Sequence, residues 1–313
     1  MIIRLAMWAM ATRFELVLDG PDEGRLRAVG ELALDTIAEC ERTISPFQPG
    51  SLLSRVNARA GGEWVALDAD TFALLETCEA VRRESQGAFD VTVAPLMEAL
   101  GFRGQPAADP GSARGEVDGE ALLLDRERMA VRFTREGLRL DVGGVGKGHA
   151  LDLARSVLVE HGVERALLHG GTSSVLALGT PPDQEAWRVA LGPEPGAPVA
   201  CLCDAALSVS TSHGRTVPAR TGRSGHIVDP HSGEALEEGI AAAVIDSDAC
   251  RADARSTALC LSAPHDPAQP PLAGVRATCV AGEQRWEGEF GPARGPNRIE
   301  QQSPRLQSRA RTA

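Results

Sequence analysis

The chain has 313 residues, of which 43% are hydrophobic, and a formal net charge of −11 at pH 7. This length allows a large core, in one large domain or two small ones. The acidic balance argues against a protein that binds nucleic acid through non-specific phosphate contacts.

The N-terminal segment from Met1 to Ala11 is apolar with one arginine. It is too short for the charged region, apolar core and cleavage site of a secretion signal. No cysteine lipobox is visible, and no apolar run reaches the length of a membrane span. The sequence therefore predicts a cytoplasmic protein, and export would require a true start further upstream.

Apolar periodicity predicts the first elements. We expect a strand from Met10 to Leu18, a helix over about residues 23–42, a helical turn from Ser51 to Asn57, and a second helix capped by Asp70 and ended by Gly87. Gly87-Ala88-Phe89-Asp90 then leads into an apolar run up to Leu96. This pattern suggests a pocket wall, and an ordinary loop entering a strand is the plainer interpretation.

Residues 103–119 are rich in Gly, Pro, Ala and charge, which predicts a surface loop or insertion. Short strands are expected from Leu122 to Leu124, from Ala130 to Phe133 and from Leu138 to Val142.

A glycine-rich turn follows the last of these strands. Four glycines lie between Asp141 and Asp152, and a helical pattern that ends at Gly162 comes next. Strand, glycine turn and helix turn free N–H groups and the positive end of a helix towards a phosphate. The turn also contains Lys147, the only lysine in the chain. Because the spacing fits neither the Walker nor the dinucleotide pattern, a phosphate loop and an ordinary turn both stay open.

A second glycine turn follows the predicted strand from Arg165 to Leu168. It contains Gly170, Gly171 and Thr172, and two serines come directly after it. Binding sites often collect at strand ends. Further strands are expected near residues 187–191, 200–202, 206–209 and 241–245.

Two histidines and an aspartate, His226, Asp229 and His231, lie within six positions. A zinc site is one interpretation, but the third ligand lacks a usual spacing. An acid–base or hydrogen-bonding role for His226 is favoured, and a surface turn stays open.

Asp253 and Thr257 lie four residues apart in a predicted helix and therefore share one face. A carboxylate and a hydroxyl suit magnesium, which prefers oxygen ligands; a capping or solvated pair is the alternative. From Gly291 to Ala313 the chain is rich in Arg, Pro, Gln and Ser, which predicts a disordered tail.

Taken in order, these motifs resemble the ApbE family of FAD:protein FMN transferases. The resemblance covers the opening Met10-Ala11-Thr12, the serine–aromatic segment around Phe47 with Ser51 to Asn57, the block from Gly87 to Phe102, the signature from Asp141 to Asp152, the double glycine at Gly170, the segment from His226 to Gly233, and Ala252 to Thr257. Several ordered motifs are far more specific than any one.

The resemblance implies a single ApbE-like α+β domain over residues 1–290, with mixed β-sheets and packed helices, and a tail over residues 291–313. It implies a magnesium-dependent enzyme that cleaves the pyrophosphate of FAD, attaches FMN to a Thr or Ser hydroxyl of a target flavoprotein and releases AMP. Family acceptors carry the pattern Asp-x-x-Thr/Ser-x-Ala/Ser/Thr. The alternatives are an FAD pyrophosphatase that makes free FMN, and a flavin-binding protein without catalysis.

The resemblance also implies roles for particular residues. It places the metal on Asp253, Thr257 and the carbonyl of Gly146, makes His226 the base, and gives Asp253 and Lys147 catalytic roles. The implied FAD site contains Met10, Ala11, Thr12, Phe47, Asp90, Lys147, Asp152, Gly170, Gly171 and Thr172. The partners implied are FAD and the target flavoprotein, without nucleic acid or a membrane span.

Several positions depart from the family pattern, among them Ala11, Phe47, His149 and Thr172. Phe47 and His149 stand where tyrosine is frequent, and both retain a ring that can stack. Ala11 replaces a glycine, which is expected to crowd close backbone contacts. Thr172 stands where the family usually has asparagine or aspartate.

Overall fold

The computed structural model describes residues 1–103, 110–192, 197–212, 216–219, 222–261, 275–280, 283–288 and 296–300. Up to residue 133 it contains β1 (Ile2–Ala9), β2 (Thr12–Asp19), α1 (Glu23–Ile44), α2 (Leu52–Arg59), β3 (Val65–Ala66), α3 (Ala69–Glu84), α4 (Ala94–Ala99), α5 (Pro110–Arg114), a 3-10 turn (Gly119–Ala121), β4 (Leu122–Asp125) and β5 (Ala130–Phe133).

The later elements are mostly strands, with two long helices among them. They are α6 (Gly146–Glu160), β6 (Arg165–Gly170), β7 (Ser174–Leu178), β8 (Trp187–Ala190), β9 (Val199–Leu202), β10 (Ala205–Thr211), β11 (Thr216–Ala219), β12 (Gly222–Val228), β13 (Ala235–Glu237), β14 (Ile240–Asp246), α7 (Ala249–Leu261), β15 (Val275–Val280), β16 (Glu283–Gly288) and β17 (Arg298–Glu300).

An eight-stranded antiparallel sheet forms the middle layer, in the order β1-β2-β6-β7-β10-β14-β15-β16. Helices α1, α6 and α7 pack on one face, where Leu16 and Leu168 of the sheet meet Ile37 and Leu151 of the helices in one core. Because side chains alternate along a strand, the opposite face needs its own cover. The sheet β17-β9-β8 provides it, with Leu202 and Ile299 in a second core.

The predicted α+β class is confirmed, and so are the helices α1 and α6. The helix α6 ends at Glu160, just before Gly162, as predicted. In α1 the buried residues follow the helical spacing that predicted it: Leu26, Val29, Ala33, Ile37, Cys40 and Ile44. Among the described strands every ladder is antiparallel, and the bridge between Val93 and Arg139 is parallel. None of the described helices has the length and apolar composition of a membrane span.

The N-terminal strand differs from the prediction. The chain enters the sheet at Ile2, and the residues expected to begin the first strand, Met10 and Ala11, form the turn between β1 and β2. The apolar N-terminal segment pairs along its whole length with β2, so it serves as a strand at the sheet edge. In α3 the cap is also shifted, because Asp68 and not Asp70 accepts a hydrogen bond from the N–H of Thr71.

One predicted strand is absent from the part of the chain that the structure describes, and the plainer interpretation of the run up to Leu96, a loop entering a strand, is wrong. Residues 138–142 form only an isolated parallel bridge, between Arg139 and Val93, and no ladder. Leu140 exchanges hydrogen bonds through both its N–H and its C=O with the side chain of Asn57. A side chain thus satisfies the backbone groups that a ladder would otherwise pair. The apolar run up to Leu96 leads into α4, which begins at Ala94. This helix carries Pro95 in its first turn, a position that suits proline.

The predicted loop 103–119 is only partly described, since residues 104–109 lie outside the described ranges and Pro110–Arg114 forms α5. Residues 298–300 fall within the predicted tail and are nevertheless paired with β9. This pairing is the correction to the tail boundary at residue 291. Residues 289–295 and 301–313 lie outside the described residues, so the rest of the predicted tail stays a prediction.

Candidate active site

A cavity of about 540 Å³ is lined by the turn between β1 and β2, the N-terminus of α6, the C-terminal end of β10 and the helix α7. That volume is within the range of small-molecule and cofactor pockets. Twelve of the fourteen predicted site residues line it: Met10, Ala11, Thr12, Phe47, Asp90, Gly146, Lys147, Gly171, Thr172, His226, Asp253 and Thr257.

Asp253 lines this cavity and is buried, with 3% of the residue exposed. One carboxylate oxygen accepts a hydrogen bond from the N–H of Gly148 at 2.8 Å, and the other accepts one from the hydroxyl of Ser174 at 2.8 Å. Both donors are neutral. Within the described part of the chain, Asp253 has no basic partner, although burying an unpaired charge is costly.

Hydroxyl groups surround Asp253 and Thr257. The Oγ1 atom of Thr257 donates to the carbonyl of Asp253 at 3.0 Å and lies 3.2 Å from Oγ of Ser210. Ser256 lies 3.0 Å from Ser208 and 2.7 Å from Ser210, measured between hydroxyl oxygens. Hydroxyl contacts from the serines of β10 therefore hold Ser256 and Thr257 of α7 in place.

The N-terminus of α6 faces the cavity with Gly146 and Lys147. The preceding residue, Val145, provides no side-chain cap, so the helix start depends on other partners for its free N–H groups. Lys147 makes no hydrogen bond or ion pair within the described residues. A helix start with a neighbouring ammonium group is an arrangement that binds phosphate.

Gly148 is required by helix packing. A Cβ atom placed on it would lie 2.2 Å from the carbonyl oxygen of Ala249 in α7. The missing side chain lets the two helices approach until the N–H of Gly148 reaches Asp253. One glycine of the predicted phosphate turn thus serves the contact between α6 and α7.

The donor set fits a magnesium ion. Asp253, Thr257 and the carbonyl of Gly146 offer only oxygen atoms, which magnesium prefers, and water and phosphate oxygens usually complete its shell. A buried carboxylate without a cationic partner is the group that a bound cation would neutralise. Among the described residues, no group of three His, Cys, Asp or Glu side chains is arranged to hold a metal.

The structure separates the residues of the zinc interpretation, His226, Asp229 and His231, into two places. His226 lies on β12 and lines the cavity. Asp229 instead builds a surface turn, where its carboxylate accepts hydrogen bonds from the N–H of His231 at 2.8 Å and the hydroxyl of Ser232 at 3.0 Å. The arrangement favours the separate role of His226.

Asp90 lines the cavity, but its oxygens are used within the protein. One accepts from the N–H and the hydroxyl of Thr92 at 2.8 and 2.7 Å, and the other accepts from the N–H of Gly119 at 3.0 Å. Burial raises the pKa of Asp90 in spite of these donors. The structure therefore shows Asp90 fixing the loops of the cavity wall.

Two predicted FAD-binding residues, Asp152 and Gly170, do not line the cavity. The carboxylate of Asp152 accepts hydrogen bonds from the N–H groups of Ala249 at 3.0 Å and Cys250 at 2.9 Å, so it caps α7 from the neighbouring helix. Gly170 lies behind the lysine, where an added Cβ would be 3.5 Å from Cβ of Lys147. Both residues therefore support parts of the site without lining the cavity: Asp152 supports α7, and Gly170 packs beside Lys147.

His149, which the sequence offers as a stacking ring, is buried and does not line the cavity. Burial lowers the pKa of this histidine. Phe47, in contrast, is 66% exposed and lies at the cavity. Of the two aromatic departures, only Phe47 is placed to contact a ligand.

The turn between β1 and β2 reaches the cavity in an unusual conformation. Met10 has φ 50° and Ala11 has φ 57°, which is the left-handed region favoured by glycine. Two such residues form the type I′ turn that suits a two-residue hairpin. The N–H of Met10 donates to the carboxylate of Glu41 at 2.7 Å, and this contact ties the turn to α1. The expected cost of Ala11 is thus local backbone strain.

Two charged residues of the cavity, Glu41 and Arg103, belong to none of the motifs singled out from the sequence, and a third, Asp141, was given no role in the site. Glu41 belongs to an ordinary amphipathic helix. Arg103 directly follows the block from Gly87 to Phe102, but its partner Asp141 is 38 residues further along the chain. The only sequence signal for Arg103 was its position next to this block, and that position does not indicate that Asp141 is its partner.

Comparison with known proteins places this site in a family. The ApbE family model matches residues 10–269. An FAD:protein FMN transferase of Rhodobacter capsulatus is 28% identical over 285 residues, which are 86% of this chain and 53% of that protein. The chain therefore spans about half the length of that relative.

Solved structures share the fold. The ApbE protein of Thermotoga maritima matches with a TM-score of 0.80 and 24% identity, over 92% of this chain and 97% of that one. The apo form of the flavinyl transferase ApbE from Pseudomonas stutzeri matches with a TM-score of 0.77 and 25% identity, over 92% and 95%. Because the family match covers most of its residues, this chain belongs to the ApbE family.

Proposed function

We propose that this chain is a magnesium-dependent FAD:protein FMN transferase. It would attach FMN through a phosphoester bond to a Thr or Ser of a target flavoprotein and release AMP. The observation that carries the proposal is the buried carboxylate of Asp253, which faces the cavity beside the start of α6 and has no basic partner in the described residues. The relatives' name, FAD:protein FMN transferase, supports the transfer of FMN from FAD to a protein.

The charges of the cavity suit a substrate that arrives with a cation. Among the described residues, four carboxylates line it, from Glu41, Asp90, Asp141 and Asp253, against the two basic side chains of Arg103 and Lys147. A pyrophosphate adds further negative charge. Bound magnesium would neutralise phosphate oxygens during cleavage.

The remaining chemistry falls to residues of the chain. The acceptor hydroxyl forms a bond to the phosphorus of the FMN half, the phosphoanhydride bond breaks, and the bridging oxygen leaves with AMP. His226 takes the hydroxyl proton, and a positioned base contributes about two to four orders of magnitude in rate. Lys147 and the start of α6 hold the phosphate oxygens.

The organisation proposed for the whole chain is one catalytic domain that includes β17, and so reaches residue 300, with a tail beyond it. The proposed partner is a flavoprotein with an accessible Thr or Ser, and the proposed location is the cytoplasm. A fusion of the native upstream region to an export reporter tests the location, since secretion of the reporter would contradict it.

The first test follows AMP and FMN by chromatography after the protein is mixed with FAD, with and without magnesium. Asp253→Asn is expected to lower AMP release at least about 100-fold, because it removes the anionic metal ligand. Asp248→Asn is the matched control: Asp248 pairs with Arg155 outside the cavity and should leave the rate within about twofold.

Three outcomes separate the candidate functions. Magnesium-dependent AMP together with flavin covalently bound to an acceptor supports the transferase. AMP with free FMN in the presence of an acceptor indicates the pyrophosphatase. Bound FAD without AMP under any divalent metal indicates a flavin-binding protein without catalysis, and it would overturn the proposal.

A further inference from the structure

Arg103 is the second basic residue of the cavity, and its guanidinium is held in place. The side chain is 14% exposed. Its Nε donates to Oδ2 of Asp141 at 2.7 Å, and Nη2 donates to the same oxygen. The central carbon of the guanidinium lies 5.3 Å from the ring centroid of Phe47. A carboxylate on one side and an aromatic ring on the other restrict where this cation can lie.

The guanidinium lies against the glycine turn that precedes α6. The other oxygen of Asp141 accepts a hydrogen bond from the N–H of Gly143 at 2.7 Å. A Cβ atom on Gly143 would lie 2.8 Å from Nη2 of Arg103. Arg103 and Asp141 are therefore part of the same loop structure that places Gly146 and Lys147 at the cavity.

The charge of Asp141 makes this cation necessary. A phosphate that approaches the turn would meet the carboxylate of Asp141 and be repelled by it. Arg103 neutralises that carboxylate with two of its five N–H donors, which leaves three for another ligand. Guanidinium groups recognise phosphate through such paired donors.

We infer that Arg103 binds a phosphate of the FAD pyrophosphate, in addition to Lys147, and that Asp141 and Phe47 position its guanidinium. The inference rests on the proposed function, because it takes FAD as the ligand. It assigns to Arg103 a contact with substrate, and to Asp141 the task of holding that side chain.

The test compares the binding of FAD, FMN and riboflavin, followed by flavin fluorescence without added metal so that no cleavage occurs. Arg103→Ala is expected to raise the Kd for FAD at least about tenfold and to leave the Kd for riboflavin, which has no phosphate, within about twofold. The control is Arg139→Ala: Arg139 pairs with Glu98 at 2.6 Å and does not line the cavity. Melting curves verify that each variant is folded.

The double variant Arg103→Ala/Asp141→Asn separates a phosphate contact from simple neutralisation of Asp141. A phosphate contact predicts that FAD affinity stays low in the double variant. Restored affinity there, or an equal loss for FAD and riboflavin in Arg103→Ala, would overturn the inference. Failure of the proposed function is distinguishable, because in that case the wild type either binds FAD without cleaving it or does not bind FAD.

Discussion

Asp253 is the proposed metal ligand, and its neighbours hold its carboxylate in place. Its two oxygens accept hydrogen bonds from neutral donors, Gly148 and Ser174, which hold the carboxylate without cancelling its charge. Each carboxylate oxygen retains a further lone pair for a cation. A basic partner at this position would compete with the metal, and the described residues provide none.

His226 is the residue on which the proposed proton transfer depends. We expect His226→Ala to lower the transfer rate about 100-fold or more and to change the Kd for FAD by no more than about threefold, because a base acts on the acceptor hydroxyl. Single-turnover rates and FAD titrations measure the two effects separately. His161→Ala is the control, since His161 is an exposed residue at the C-terminal end of α6. Equal transfer rates in the wild type and His226→Ala would reduce this residue to a structural role.

Ala11 gives a prediction about stability. At φ 57° an alanine is strained, and glycine relieves that strain, although glycine also loses more entropy on folding. We expect Ala11→Gly to raise the free energy of unfolding by about 0.5–1 kcal/mol. Ala38→Gly, within the helix α1, is the control and should lower it by about 1 kcal/mol. Urea denaturation measures both, and a loss of stability in Ala11→Gly would contradict the assigned strain.

At the scale of elements, the contact between α6 and α7 builds the site. Gly148 lets the helices approach closely, and Asp152 of α6 caps the first N–H groups of α7. These two contacts fix α7 in the position where Asp253 meets the start of α6. The signature from Asp141 to Asp152 therefore encodes a joint between helices as well as a loop.

The cap gives a prediction about pH. Burial raises the pKa of Asp152 from 3.8 to about 6, although the N–H donors of Cys250 and Ala249 oppose the shift. Since ionisation is harder in the folded state, this residue's contribution to stability is full below pH 4 and is lost as the pH rises through about 6. The change is at most about 3 kcal/mol, at 1.36 kcal/mol for each pKa unit.

Chemical denaturation between pH 4 and 8 checks this. The stability of the wild type relative to Asp152→Asn should fall between about pH 4 and pH 6 and stay level above it. Asp22→Asn, which alters the exposed cap of α1, shows what the loss of a cap carboxylate does at the surface. The assignment would be contradicted if the free energy of unfolding of the wild type, relative to that of Asp152→Asn, rose with pH.

At the scale of the whole molecule, the sequence predicted the elements that depend on local patterns and missed the contacts between distant segments. The helix α1 was predictable because its apolar stripe repeats every turn. Residues 138–142 carry an apolar run typical of a strand, but the backbone of Leu140 in this run pairs with the side chain of Asn57, 83 residues away. No local pattern contains such a contact.

The site follows the same division. Lys147 and Thr257 could be singled out because their motifs are short and ordered; the structure places both at one cavity, and their roles stay predictions. The roles of Asp152 and Asp90 were predicted less well, since an aspartate in a binding motif gives no sign of whether its partner is a ligand or backbone N–H groups of another segment. Burial and hydrogen-bond partners decide that question, and both belong to the folded molecule.

Transfer of FMN to a protein hydroxyl is the central claim, and intact mass spectrometry of an acceptor tests it most directly. The acceptor is a protein domain with the pattern Asp-x-x-Thr/Ser-x-Ala/Ser/Thr, incubated with this protein, FAD and magnesium; its Thr/Ser→Ala variant is the control. We predict that the acceptor gains the mass of one FMN less one water, with one AMP released for each FMN attached, and that the control stays unmodified. An unmodified acceptor beside free FMN and AMP would contradict the account.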